Sequence, residues 1–126
     1  MTDAPRTSVV ETSPEIRSVL DGLISSLDRF VWSEGRSWTN GIPTSYHGRL
    51  GGGDYLTADF RVDRSGHSDI ETNPAAAALT TYDGCNLILD GEVLDESDMV
   101  RLRSAFDRVA ELHRKSAVES IMQYLS

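Results

Sequence analysis

Residues 45–62 read SYHGRLGGGDYLTADFRV. The triple glycine Gly51-Gly52-Gly53 is a turn between two short runs, SYHGRL and DYLTADFRV. In the second run Leu56, Ala58, Phe60 and Val62 alternate with Tyr55, Thr57, Asp59 and Arg61, the period of two that a strand requires. One set is apolar and the other polar. The segment therefore reads as a hairpin in an antiparallel sheet, with one face on a core and the other facing water or a ligand. Its apolar face must be covered by what lies on either side in the chain.

On the N-terminal side, residues 1–12 are polar and aperiodic and read as a flexible arm. Ser13 is suited to cap a helix, Pro14 to its first position and Glu15 to the positive end of its dipole. Ile16, Val19, Leu20, Leu23, Ile24, Leu27, Phe30 and Val31 then recur at spacings of three and four, which predicts an amphipathic helix over 14–32. Trp32 continues its apolar end. Residues 33–44, rich in turn formers, read as a loop.

On the C-terminal side, Asp63-Arg64-Ser65-Gly66 signals a turn and 67–71 a third antiparallel strand. Asn73-Pro74 starts another turn, and Ala75 to Leu79 read as a short helix. Cys-Asn-Leu-Ile-Leu at 85–89 is a short apolar strand, Asp90-Gly91 a tight turn, and Glu92-Val93-Leu94 a short returning strand.

The final segment carries the longest helical signal. Asp95 is its cap, with Asp98 as a weaker capping-box partner. Met99, Leu102, Phe106, Val109, Ala110, His113, Ala117, Val118, Ile121 and Leu125 form its stripe. A helix over 96–125 is ~45 Å long at 1.5 Å per residue, against a diameter of roughly 35 Å for a domain of this size. The helix must therefore break, overhang or be covered. A break is expected at His113-Arg114-Lys115-Ser116. Without one, the tail Val118, Ile121, Met122, Leu125 predicts a homodimer contact, or else it folds back on the N-terminal helix. The expected architecture is a single α+β domain over 13–126: an N-terminal helix, an antiparallel sheet of about four to five short strands, and a long C-terminal helix on one sheet face.

The chain has 126 residues and a net charge of −8, which repels nucleic-acid backbones and anionic membranes. Basic protein surfaces, small molecules and cations remain as partners. One cysteine, Cys85, excludes an internal disulfide and favours a reducing, cytoplasmic compartment. The N-terminus lacks the apolar region of a secretory signal, and no apolar run reaches the ~20 residues of a membrane helix. Eleven of the twelve basic residues are Arg, the exception being Lys115. That bias suggests a GC-rich bacterial or phage coding sequence.

The chemistry-bearing residues form no strong constellation. His47, His67, His113 and Cys85 are four ligand types at spacings unlike a closed zinc site, so no metal or cofactor is expected. His113 lies in an apolar stripe and reads as a hydrogen-bonded, partly buried histidine. Cys85 has no basic neighbour to activate it and reads as an inert core thiol. Asp54, Asp59, Asp63, Asp69 and Glu71 interleave with Arg49, Arg61 and Arg64, the pattern of a solvated sheet face. No serine triad, nucleotide fingerprint or DNA-binding motif is present. The candidate partner contacts are Trp38 in the polar loop, Tyr55, Asp59 and Arg61 on the polar sheet face, and Ile121 and Leu125 on the helix tail.

The stretch LILDGEVLDESDMVRLRSAFDRVAELH (87–113) resembles a pattern in small uncharacterised proteins of actinobacteria and their phages. A strand and an L-D-G turn lead through Leu94 and the capping Asp95 into a long Arg- and Ala-rich helix. The features fall on Leu89, Asp90, Gly91, Leu94, Asp95, Leu102 and Ala105. The resemblance implies the strand–turn–helix and transfers no functional residue.

The expected function is a non-enzymatic intracellular interaction or regulatory module that binds a protein, in its sharper form a phage-encoded inhibitor of a host protein with a basic surface. One alternative is a small-ligand binder or hydrolase-type enzyme using His47, Asp59, Arg61 and His67 on the polar sheet face. Another is a structural homo-oligomer built through the C-terminal helix.

Overall fold

The computed structural model describes residues 10–35, 38–39, 42–50, 55–62 and 75–125, with only the backbone for 38–39 and 42–43. In chain order these form α1 (Pro14–Ser25), a 3-10 turn (Leu27–Arg29), β1 (Phe30–Glu34), β2 (Trp38–Thr39), β3 (Ile42–Pro43), β4 (Ser45–Leu50), β5 (Leu56–Val62), β6 (Ala75–Thr81), β7 (Asn86–Leu89) and α2 (Glu96–Leu125). Among the described residues five strands make one antiparallel sheet in the order β1-β4-β5-β6-β7, and β2 pairs β3 in a separate ribbon. Both helices lie on one sheet face, so the chain is an α+β protein with an N-terminal helix, an antiparallel sheet and a long C-terminal helix.

The two arms of the expected hairpin, β4 and β5, pair antiparallel as the alternation requires, and the glycine turn at 51–53 lies outside the described residues. Ala58, Phe60 and Val62 are buried while Asp59 and Arg61 are exposed. Tyr46 lies opposite Phe60 and His47 opposite Asp59.

α1 begins as its residues dictate: the Ile16 N–H donates to the Ser13 hydroxyl at 3.2 Å, and Pro14 opens the helix. It does not reach residue 32. Ser25 turns its hydroxyl onto the Gly22 carbonyl, the local competition that weakens serine in helices, and the chain leaves through the 3-10 turn. Phe30, Val31 and Trp32 then alternate buried, exposed, buried. Aromatic and β-branched residues in sequence fit a pleated surface better than a helix, so the apolar positions that extend the helical stripe instead start an edge strand. The Trp32 indole N–H donates to the Leu27 carbonyl at 2.8 Å, locking that exit. The predicted loop at 33–44 holds the end of β1 and the small β2–β3 ribbon.

Two further expectations are corrected. Ala75 to Leu79 is not helical but lies within β6, the strand paired to β5 on one side and β7 on the other. Ladder pairing on both edges overrides alanine's helix preference. Alanine also suits the site, because Ala75 and Ala77 are buried on the face that α2 packs against. Residues 92–94 form no returning strand. The Val93 and Leu94 N–H groups both donate to the Asp90 carbonyl, and Leu94 drops into the core at the end of this turn. The third-strand expectation at 67–71 lies outside the described residues, as do residues 1–9 of the expected arm.

The core joins Leu20 and Leu23 of α1, Leu27, Trp32, Tyr46, Phe60 and Leu89 of the sheet side, and Leu102, Phe106 and Val109 of α2. Burying each such side chain stabilises by ~1.5–3 kcal/mol. Trp32 stacks on Phe30 at 5.1 Å between centroids and meets Phe60 edge-on at 5.7 Å. Its ring lies across the strand partner Gly48. A Cβ on Gly48 would stand 2.5 Å from the ring, so only glycine fits there.

An ion cluster clamps the start of α2. The Asp98 carboxylate is buried and takes hydrogen bonds from Arg17 at 3.0 Å, Arg101 at 3.1 Å and the Thr12 hydroxyl. Arg17 also reaches Asp95, and Arg101 reaches Asp21 on α1. The Asp95 N–H donates to the Thr12 oxygen at 2.8 Å, and the Asp95 side chain caps α2 by accepting from the Asp98 N–H. Desolvation is the largest single influence on Asp98 and pushes its pKa up. The hydrogen bonds from Thr12, Arg17 and Arg101 together outweigh it and hold the carboxyl below its usual value.

α2 is one continuous helix from Glu96 to Leu125. The expected break at 113–116 does not occur, because Arg and Lys are good helix formers and no Gly or Pro interrupts them. Nor does the tail fold back on α1. Buried residues end at Val109, and from Arg114 onward only Ala117 is even half-covered.

Two predictions follow from this packing. Gly48→Ala lowers stability by about 1–3 kcal/mol through overpacking against Trp32, read as a shifted urea midpoint; an unchanged midpoint contradicts the packing described. For Asp98, a folded pKa below the unfolded one means that its contribution is present above the unfolded value near 4 and is lost as pH falls through the folded one. Asp98→Asn should cost about 1–2 kcal/mol at neutral pH, at the low end for a charged hydrogen bond because its arginine partners are half-exposed. The difference from wild type should shrink in acid, and a difference independent of pH contradicts the clamp.

Candidate interaction surfaces

The helices cover one sheet face. The other presents Val31 and Ser33 from β1, His47 and Arg49 from β4, Thr57, Asp59 and Arg61 from β5, Ala76, Ala78 and Thr80 from β6, and Asn86 and Ile88 from β7, all exposed or half-buried. The registers align Ser33, His47, Asp59, Ala78 and Ile88 in one row across all five strands. Within that row His47 Nδ1 lies 2.7 Å from Asp59 Oδ1. This is the one histidine–carboxylate hydrogen bond among the described residues.

Serine, histidine and aspartate side by side invite comparison with a nucleophilic triad, but the geometry differs. The Ser33 hydroxyl donates to the His47 backbone carbonyl at 3.3 Å, whereas a nucleophile must donate to the imidazole. The His47 and Asp59 side chains are 40% and 59% exposed, so water competes for both. Cross-strand pairing of this kind stabilises a sheet modestly and is what two facing polar strands do without further chemistry.

The other candidates are dispersed. Tyr55 stands at the end of β5, highly exposed, with its ring 6.0 Å from that of Tyr82. Arg61 borders an open depression of about 330 Å3 that Ala75, Ala76, Asp90, Gly91, Glu92 and Met99 also line, far along the strand from Tyr55. Trp38 lies in β2, and its side chain falls outside the described residues, as do His67, Asp54, Asp63, Asp69 and Glu71. Among the described residues no group of three histidine, cysteine or acidic side chains could hold a metal ion.

Two readings of single residues change. Cys85 is not a core thiol but is exposed. It closes the β6–β7 turn, where Gly84 takes a φ of 95° and the Cys85 N–H donates to the Thr81 hydroxyl. His113 is partly buried as expected, with its ring 5.4 Å from Tyr46, but its nearest carboxylate oxygen, on Glu34, is 3.9 Å away. That is an ion-pair distance and not a hydrogen bond.

The end of α2 differs in kind from the sheet face. Val118, Ile121, Met122, Tyr124 and Leu125 are each more than half exposed, on the part of α2 beyond its last buried residue, Val109. Ile121 and Leu125, singled out from the helical spacing, stand there together. Tyr124 was not, although its position three residues after Ile121 places it beside that stripe. No described helix is long and apolar enough to cross a membrane.

No protein-family model, no curated protein and no solved structure matches the chain.

Proposed function

We propose that the protein is a non-enzymatic interaction module that binds another polypeptide through the projecting end of α2. One observation carries this reading: five large apolar side chains, Val118, Ile121, Met122, Tyr124 and Leu125, stand in water on a continuous helix. Contiguous exposed apolar surface mostly marks a contact site, and a helix face is a common means of docking. The acidic balance of −8 disfavours nucleic acid and an anionic membrane as the partner.

The single cysteine supports an intracellular setting, and the resemblance at 87–113 supports a bacterial or phage source. The sharper version, inhibition of a host protein, rests on the acidic charge alone. The ligand-binding alternative has the His47–Asp59 pair in its favour, but both side chains of that pair stand open to water.

The test places a photo-crosslinking side chain at position 121 in one sample and at position 49, on the sheet face, in another. Capture of a polypeptide from position 121 but not from 49 is expected. Equal capture from both, or capture from 49 alone, overturns the assignment of the surface.

A further inference from the structure

The reading above leaves open which polypeptide covers α2. We infer that it is a second copy of this chain, laid antiparallel along residues 114–125 in a reversible two-fold dimer. The inference rests on the interaction reading and on four features of the helix.

The first is direction. At about 100° per residue, the stripe of Ile121 and Leu125 points roughly 100–140° away from the line of Leu102, Phe106 and Val109 that faces the sheet. Ser116, Ser120, Gln123 and the exposed Tyr124 occupy the side that continues toward the body. The apolar stripe therefore faces sideways, where its own domain cannot reach it.

The second is spacing. Arg114, Val118, Ile121 and Leu125 follow one another at four, three and four residues, the seam spacing of paired helices. A self-complementary seam needs only one such patch.

The third is charge. In a parallel pair Arg114 meets Arg114 across the seam. In an antiparallel pair with its axis between Glu119 and Ser120, Val118 faces Ile121 and Arg114 faces Leu125 of the other copy. The stem of Arg114 then covers Leu125 while its guanidinium reaches past it. The last turn of α2 contains no basic residue, so its exposed carbonyls and negative dipole end are uncompensated. Arg114 and Lys115 of the second copy supply the missing positive charge.

The fourth is length. Residues 114–125 clear the body by ~18 Å. In the antiparallel arrangement this stretch of one copy lies wholly against the same stretch of the other. The few apolar side chains of this stripe offer less than the ~800 Å2 per partner of a standard stable interface. The dimer should accordingly be weak and dissociate on dilution. Two bodies of charge −8 also repel, so added salt should tighten it, the opposite of its effect on an acidic protein bound to a basic partner.

Sedimentation of the full chain from about ten micromolar to about a millimolar tests this. The expected result is a mass rising from monomer toward dimer, more readily at high salt, with Ile121→Glu remaining monomeric while its circular dichroism and melting match wild type. Orientation is read in a Cys85→Ser background. A mixture of Val118→Cys and Ile121→Cys chains should form disulfide dimers faster than either chain alone, whereas faster crosslinking of either alone overturns the antiparallel arrangement. A wild-type chain monomeric across the range overturns self-pairing. If position 121 still captures a different protein, the interaction reading survives that failure; if it captures nothing, both fall.

Discussion

The seating of the first half of α2 on the inner sheet face governs the remainder of the structure. Leu102, Phe106 and Val109 are almost completely buried there, and the helix start is held by Asp98 between Arg17 and Arg101. Together these fix where the helix begins and which way it points. Since α2 has no break, its direction at Val109 is its direction at Leu125, and the exposed end follows from the buried one. The projecting surface is thus a consequence of core packing plus unbroken helix propensity.

The sheet accommodates that helix by using small residues. Ala75 and Ala77 keep β6 low beneath α2, and Gly48 leaves the hollow into which Trp32 lays its ring. Larger side chains at these positions would lift the helix or expel the indole. The opposite face carries no such constraint. On it His47 pairs with Asp59 and Thr80 with Asn86 across strands, and the face remains wetted.

The fold was legible wherever one period dominated a long enough window. The alternation of Leu56 to Val62 and the stripe that starts at Met99 each predict the type of their element, although the break expected at 113–116 does not occur. Failures came where two periods fit the same residues. Phe30, Val31 and Trp32 continue a helical stripe and also alternate; β1 pairing with β4, invisible locally, decides for the strand. The alanines at 75–78 favour a helix until two neighbouring strands claim their backbone. Asp98 could be read as a capping partner, but not as a buried carboxylate, because its partners Thr12 and Arg17 are some eighty residues distant in the chain. The exposed helix end was visible only as a conflict between helix length and domain diameter. Whether that conflict ended in a break, a fold-back or an overhang depended on three-dimensional packing. The exposure of Cys85 likewise depended on the turn around Gly84.

For function, a helix end that keeps its helical backbone is a different kind of surface from an unstructured tail. Its backbone is already helical, so less backbone entropy is lost on binding than in folding a disordered segment. Amide hydrogen exchange on the isolated chain at low concentration tests the central claim most directly. A straight helix clamped only over its first half predicts helical chemical shifts through residue 124, with strong protection around Leu102 to Val109 falling away beyond His113. Loss of helical shifts after residue 113, or core-like protection of residues 118–125 in the dilute monomer, would contradict it.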